Sequence, residues 1–229
     1  MGALRILKND STDPFVNLEV EEQILCCEQS SDVLLMLWRN EPCVVLGKFQ
    51  NPCYEVNEDY VHAENIPVVR RFTGGGTVYH DLGNLNITLC KDKNNVLFSH
   101  YILEEAKGIA NIVAEAVRKL TKASVLVDDR ASVFVEDRKI SGSSTAVARH
   151  KFFYHSTLLV STDLLRLKKS LKWKEEYPQG EHSFVKSKRS PVANLSDYAP
   201  NITLDILKEK IINEFIHTLP VEEILFVQV

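Results

Sequence analysis

Arg70-Arg71-Phe72-Thr73-Gly74-Gly75-Gly76-Thr77-Val78-Tyr79-His80-Asp81-Leu82-Gly83-Asn84-Leu85-Asn86 decides how the rest of this chain is read. Residues 66–72 lead into it as a candidate strand, which the three glycines Gly74, Gly75 and Gly76 close. Each glycine costs roughly 1 kcal/mol of backbone entropy relative to alanine, so such a run marks a tight turn or a close approach to a ligand. In a strand Arg70 and Arg71 point to opposite faces, which leaves one of them to reach a given pocket. A guanidinium beside exposed backbone N–H groups makes a local site for phosphate or carboxylate. A surface turn with two solvated arginines fits the same residues. The order is neither that of a P-loop nor GxGxxG.

Outward from this stretch the pattern changes period several times. Upstream, residues 16–29 predict a helix with Asn17 as a possible cap, and DVLLMLW and PCVVLGKF predict strands around the turn Arg39-Asn40-Glu41-Pro42. Downstream, residues 85–89 alternate as a half-buried strand does, with Asn86 and Thr88 on one face that lines a pocket or meets solvent. Residues 102–120 then carry Ala106, Ile109, Val113, Ala116, Val117 and Leu120 along one helical face. A hairpin is expected from Val133-Phe134-Val135 to Lys139-Ile140-Ser141, a strand over 154–160 and a helix over 162–172. The polar, basic stretch 173–191 reads as a long loop, and 203–219 as a last helix capped by Thr203 and stopped by Pro220. Strands and helices without regular βα alternation predict an α+β fold, with mixed or antiparallel sheets flanked by helices.

Bulk properties narrow the classes. The 229 residues are 45% hydrophobic and 25% charged, enough for one sizeable core, so a single domain over 1–229 is expected. A net charge of −4 and a pI near 6.0 give no basic field for nucleic acid, so any anion site must be local. The five cysteines, Cys26, Cys27, Cys43, Cys53 and Cys90, form no metal-type pair and no even disulfide set, which fits a reducing cytoplasm. The N-terminus lacks a long apolar core, so no signal peptide or membrane span is expected.

The seventeen-residue stretch resembles the signature of the lipoate–protein ligase A and lipoyltransferase family. Further blocks resemble it in the same order: Asn17-Leu18-Glu19-Val20-Glu21-Glu22, then Val44 to Pro52, Arg138-Lys139-Ile140-Ser141-Gly142-Ser143, His155 to Leu159 and Lys186 to Leu195. The resemblance covers roughly residues 15–198. It implies the biotin/lipoate ligase catalytic-domain fold and a two-step chemistry: ATP converts lipoate (or octanoate) to an acyl-AMP, and a lysine of an acceptor protein then takes the acyl group. The implied acceptors are lipoyl domains of 2-oxoacid dehydrogenase E2 subunits, the H protein of glycine cleavage, or both.

On the same resemblance, Lys139 is the central cation, placed against the acyl carbonyl and phosphate oxygens. Local alternation agrees in putting Lys139 and Ser141 on one face and Ile140 on the other. Arg71 is assigned to the acyl-adenylate and Arg70 to a structural role. Gly74, Gly75 and Gly76 offer backbone contacts, with Val78 and Tyr79 near adenine. His80, Asn86, His155 and Thr157 complete the substrate set, although a satisfied half-buried histidine fits His80 and His155 as well. Asp81 braces the turn that follows it. Lys186, Lys188 and Arg189 form a basic lid. ATP chemistry implies Mg2+, but no carboxylate cluster identifies its ligands.

Two departures from the family pattern bear on activity. Many ligases carry Arg-Asn-Asp where this chain has Asp129-Arg130-Ala131-Ser132, and the length after residue 219 leaves no room for a C-terminal accessory domain. A transferase that takes ready-made lipoyl-AMP, or needs an accessory subunit, is therefore the alternative, with a non-catalytic lipoyl-domain binder as the reading of another class. Cys90 is read as a buried thiol rather than a nucleophile. A monomer in the cytoplasm, or in an organellar matrix, is the expectation.

Overall fold

The computed structural model describes residues 2–26, 32–172 and 184–229. Its elements begin with β1 (Leu4–Lys8), α1 (Pro14–Cys26), β2 (Val33–Trp38), β3 (Cys43–Leu46), α2 (Pro52–Glu55), α3 (Glu58–Ala63), β4 (Val68–Arg70) and β5 (Val78–His80). There follow β6 (Asn84–Asp92), α4 (Ile102–Arg118), β7 (Val125–Val127), β8 (Val133–Val135), β9 (Arg138–Ala148) and β10 (Lys151–Leu159). The last are α5 (Leu164–Ser170), α6 (Leu204–Thr218) and β11 (Ile224–Gln228). Eight strands form one mixed sheet in the order β11-β1-β2-β6-β10-β9-β8-β7, and a second sheet has the order β4-β3-β5. This is the expected α+β fold. Among the described residues no helix is long and apolar enough to cross a membrane.

Strand alternation builds both layers at once. One face of the large sheet carries Leu35 and Leu37 of β2, Leu85, Ile87 and Leu89 of β6, and Phe152, Tyr154 and Leu158 of β10. It packs on α4 and on Leu207, Ile211 and Phe215 of α6 in the main core. The opposite face carries Met36, Trp38, Cys90 and Phe153, covered by Ile24 and Leu25 of α1. That second face also holds Asn86, Thr88, His155 and Thr157. Registers align them into rows: Trp38, Asn86, Thr157 and Gly142 in one, Met36, Thr88, His155 and Ser144 in the next. β6 is therefore buried on both faces except at Asp92, not half-buried as its alternation suggests. Its polar positions meet a cleft rather than bulk water.

Local chemistry explains where the elements start and where the sequence reading slips. Asp13, not Asn17, caps α1: its carboxylate accepts the N–H groups of Phe15 (2.8 Å) and Val16 (3.3 Å), with Pro14 in the first turn. Asn17 lies inside the helix, fully buried, and donates to Arg39 O and to Asn40 Oδ1. The expected end of this helix, 27–29, lies outside the described residues, as does 173–183 of the basic loop. The strand expected over 66–72 shortens to β4, because Arg71 turns inward to hold the glycine loop. β9 runs on through Gly142 to Ala148, past the turn-like serines, because β10 pairs with it along that length. β1, β7 and β11 have no counterpart in the sequence reading.

Candidate functional site

A cleft of about 340 Å³ lies between the two sheets. Its floor is the paired rows of β2, β6, β10 and β9; its walls are α1, the ends of β3 and β5, the glycine loop and residues 185–189. Leu18, Trp38, Val45 and Val78 make one wall apolar. Arg71, Arg130, Lys139, Lys186, Lys188 and Arg189 also line it, against Glu21 as the one carboxylate among the described lining residues. In a chain of net charge −4 that is a strongly local concentration of positive charge.

The glycine loop joins β4 to β5 and is held by Arg71. Buried at 6% exposure, Arg71 donates to Gly74 O (2.6 Å), Gly76 O (2.8 Å) and Thr73 Oγ1 (3.0 Å). Burial pushes its pKa down to about 10, with Glu21 opposing, so it remains charged at neutral pH. Gly75 adopts φ of +85°, where a Cβ would be strained. The Gly47 Cα passes so near that a Cβ there would meet Gly75 O at 2.2 Å. Arg70 turns to the other side and donates to the carbonyls of Gly47 (2.8 Å) and Gln50 (2.9 Å). Of the predicted loop residues, Gly75, Gly76, Val78 and His80 line the cleft. Gly74 is set back and accepts from Arg71 and Ser144, while Tyr79 faces a smaller adjoining chamber of about 120 Å³.

Lys139 lies where that chamber meets the cleft. Its backbone pairs with residues 191–193: Lys139 N–H donates to Pro191 O at 2.9 Å, and Ala193 N–H to Lys139 O at 3.3 Å. The side chain folds over Gly142, where a Cβ would stand 3.1 Å from Nζ. Burial pulls the pKa of Lys139 below its ordinary value, with Arg130 adding to the fall and Asp128 opposing it. Ile140, the next residue, is in the core, as alternation predicts.

His80 is buried and His155 half-buried, and the two are differently engaged. His155 Nδ1 lies 3.1 Å from each carboxylate oxygen of Glu21, and Nε2 lies 2.8 Å from Thr73 Oγ1. Glu21 also accepts from Thr88 Oγ1 at 2.5 Å, and Thr88 accepts from Trp38 Nε1 at 2.8 Å. The Thr73 hydroxyl thus meets both the Arg71 guanidinium and His155 Nε2, while Glu21 faces the ring from the Nδ1 side. His80 Nδ1 accepts from the Asn40 amide at 3.1 Å, and its buried Nε2 has no partner among the described residues. Burial, then the charges of Arg71 and His155, push its pKa down to about 3, so it is neutral at physiological pH. Asp81 accepts from Gly83 N (2.9 Å) and Asp163 N (2.8 Å), bracing the turn as expected. Cys90 is buried, 1% exposed, and outside the cleft lining.

The basic segment is more firmly held than a lid of three free cations would be. Ser187 Oγ accepts from Thr77 N (2.8 Å) and Gln50 Nε2 (3.0 Å), and Val185 N donates to Phe49 O (3.0 Å). Arg189 donates to Glu55 Oε2 (3.0 Å) and Lys172 O (2.8 Å), so it is a tether as well as a lining residue. Glu21, Gln50, Glu55 and Ser187 escaped the residue-by-residue reading. Glu21, Gln50 and Ser187 lie in blocks that carry the resemblance and Glu55 just beyond one, but their partners are far off in sequence.

The cleft thus combines an apolar wall with a set of cations, and known proteins resemble this chain over its full length. The structure of protein Ta0514 from T. acidophilum with bound lipoic acid is 25% identical, with a TM-score of 0.80 over 100% of this chain and 90% of that one. A lipoate-protein ligase A bound with ATP is likewise 25% identical, with a TM-score of 0.80 over 100% and 90% of the two chains. A bipartite lipoate protein ligase from Thermoplasma acidophilum, described with its E2 lipoyl domain, shares the fold at 24% identity, with a TM-score of 0.83 over 100% and 88%. The family profile described as the lipoyl protein ligase A/B catalytic domain matches residues 13–216. With that match spanning both sheets and the cleft between them, the chain belongs to the lipoyl protein ligase A/B catalytic domain family.

Proposed function

We propose that this chain forms lipoyl-AMP from lipoate and ATP and transfers the lipoyl (or octanoyl) group to a lysine of an acceptor domain. The observation that carries the reading is the cleft itself, in which an apolar wall of Leu18, Trp38, Val45 and Val78 adjoins the cationic Lys139. A free carboxylate is a poor acyl donor, because its leaving group would be an oxide; the mixed anhydride with AMP has a phosphate leaving group instead. Lys139 would stabilise charge on the acyl carbonyl and phosphate oxygens, and its lowered pKa shows how little solvent screens it. We assign Arg71, Gly74, Gly75, Gly76, Val78, Tyr79, His80, Asn86, His155 and Thr157 to substrate contacts, and Lys186 and Lys188 to the phosphate side. Among the described residues no group of three or more His, Cys, Asp or Glu converges on a metal position. Mg2+ therefore enters this reading with the nucleotide's phosphates, and no step is routed through it.

The relative described with its E2 lipoyl domain supports lipoyl domains as acceptors; the glycine-cleavage H protein is the other acceptor we assign. A second reading, transfer from ready-made lipoyl-AMP alone, is favoured by Ala131 and Ser132 standing beside Arg130 where many ligases carry Asn-Asp. Incubation with an apo lipoyl domain and either ATP, Mg2+ and lipoate, or synthetic lipoyl-AMP, followed by acceptor mass, separates the two. Modification in both arms supports the full ligase, and modification only with lipoyl-AMP supports the transferase. No modification in either arm would sink the enzymatic reading. Lys139→Ala should remove at least ~100-fold of whichever activity is present.

A further inference from the structure

Glu55 is the last residue of the four-residue helix α2 and is 1% exposed. Nothing in its own neighbourhood of sequence explains a buried carboxylate there. Its two oxygens reach the basic segment separately: Oε1 accepts the Ser187 N–H at 3.0 Å, and Oε2 accepts the Arg189 guanidinium at 3.0 Å. Side chains 187 and 189 thus face the scaffold, while Lys186 and Lys188 between them line the cleft and are exposed. The Ser187 hydroxyl abuts the glycine loop, where a Cβ on Gly76 would meet it at 3.0 Å.

We propose that Glu55 is a positioning residue that holds 185–189 against the glycine loop, and that this contact governs how long the acyl-adenylate stays in the cleft and how well water is kept from it. The inference rests on the acyl-AMP reading above. A carboxylate that accepts one backbone N–H and one guanidinium makes two charge-assisted bonds in a water-poor setting. Without it, the segment would keep its Gln50, Thr77, Phe49 and Lys172 contacts but lose one bond at residue 187 and one at residue 189. The adenylate would then leave faster, and water would attack its acyl carbonyl more often, breaking the acyl–phosphate bond to give free lipoate and AMP.

The test compares wild type, Glu55→Gln, Arg189→Met and Arg189→Lys, with two readouts. Amide hydrogen exchange over 184–190 reports the contact, and the dissociation rate of a non-hydrolysable lipoyl-sulfamoyl-adenosine reports retention. Glu55→Gln and Arg189→Met should each speed exchange there and raise the dissociation rate about tenfold, roughly the loss of one charge-assisted hydrogen bond. Transfer kcat at saturating lipoyl-AMP should change less than KM does. Arg189→Lys, which keeps a cation opposite Glu55, should recover most of the retention. Wild-type exchange or wild-type dissociation in both Glu55→Gln and Arg189→Met would overturn the proposal. Arg189→Met guards against a Glu55 variant that does not fold. Failure of wild type to bind the analogue would instead sink the acyl-AMP reading, so the two failures are distinct.

Discussion

Lys139 shows what a single half-buried charge costs and what it is kept for. Its pKa is lowered, so the folded protein holds that proton less tightly than the unfolded chain does. The resulting penalty is present in full below the lowered folded value and disappears above the ordinary lysine value of 10.5. Lys139→Met should therefore raise Tm at pH 7 while abolishing transfer. A thermal melt paired with the acceptor assay checks both, and a lowered Tm would refute the electrostatic account. His80 works in the opposite pH range. Its folded pKa of about 3 lies below the ordinary 6.5, so its contribution to stability is present above 6.5 and lost as pH falls towards 3. Between pH 7 and pH 5 wild type should lose about 2 kcal/mol more than His80→Gln in urea unfolding. Equal losses would mean that His80 does not carry that pH dependence. Lys139 was legible in the sequence because its motif and the strand alternation agree. Arg189 was legible as part of the basic segment but its pairing with Glu55 was not, since the two side chains are 134 positions apart.

At the scale of elements, the glycine loop depends on a neighbour that is itself a glycine. Gly47 ends β3's run just where Gly75 O passes, and a Cβ would sit 2.2 Å from that oxygen and 3.1 Å from its carbon. Gly47→Ala should displace the loop by about an ångström and cost on the order of 100-fold in transfer, with far less effect on Tm. Unchanged kinetics would show that the loop's position is not critical. Away from the loop β2, β6 and β10 are all anticipated by the sequence, whereas β5, three residues beside the loop, is not. β1 and β11 were missed because Arg5 and Lys8 interrupt the apolar residues of β1, β11 is a half-exposed sheet edge, and each gains its partner only in the fold, where Leu4 lies beside Ile224 and Val33. β9 was cut short in the reading because Gly142, Ser143 and Ser144 are turn-like residues, and only pairing with β10 keeps them extended.

Across the whole molecule, the site exists because two sheets face one another with α1 and residues 185–189 closing the sides. A ligand that touches both sheets binds the folded state alone and must stabilise it by mass action. Lipoyl-sulfamoyl-adenosine at about 100 times its Kd should add ~2.7 kcal/mol, raising Tm by about 5–10 °C. A Tm independent of its concentration would count against the cleft as the binding site. The amino-acid sequence by itself determined the α+β class, the glycine loop, Lys139 and the family, because these rest on local alternation and ordered motifs. The tertiary structure alone decided that Asn17 is buried rather than a cap, that His155 is oriented by Glu21, and that Arg189 is tethered to Glu55. Burial and hydrogen-bond partners at long range depend on which face of which strand meets which, and no local pattern encodes that. Strand alternation and the motif already separate Arg70 from Arg71, but only the fold supplies their partners: one holds the turn at Gly47 to Gln50 from outside and the other is buried behind the glycine loop.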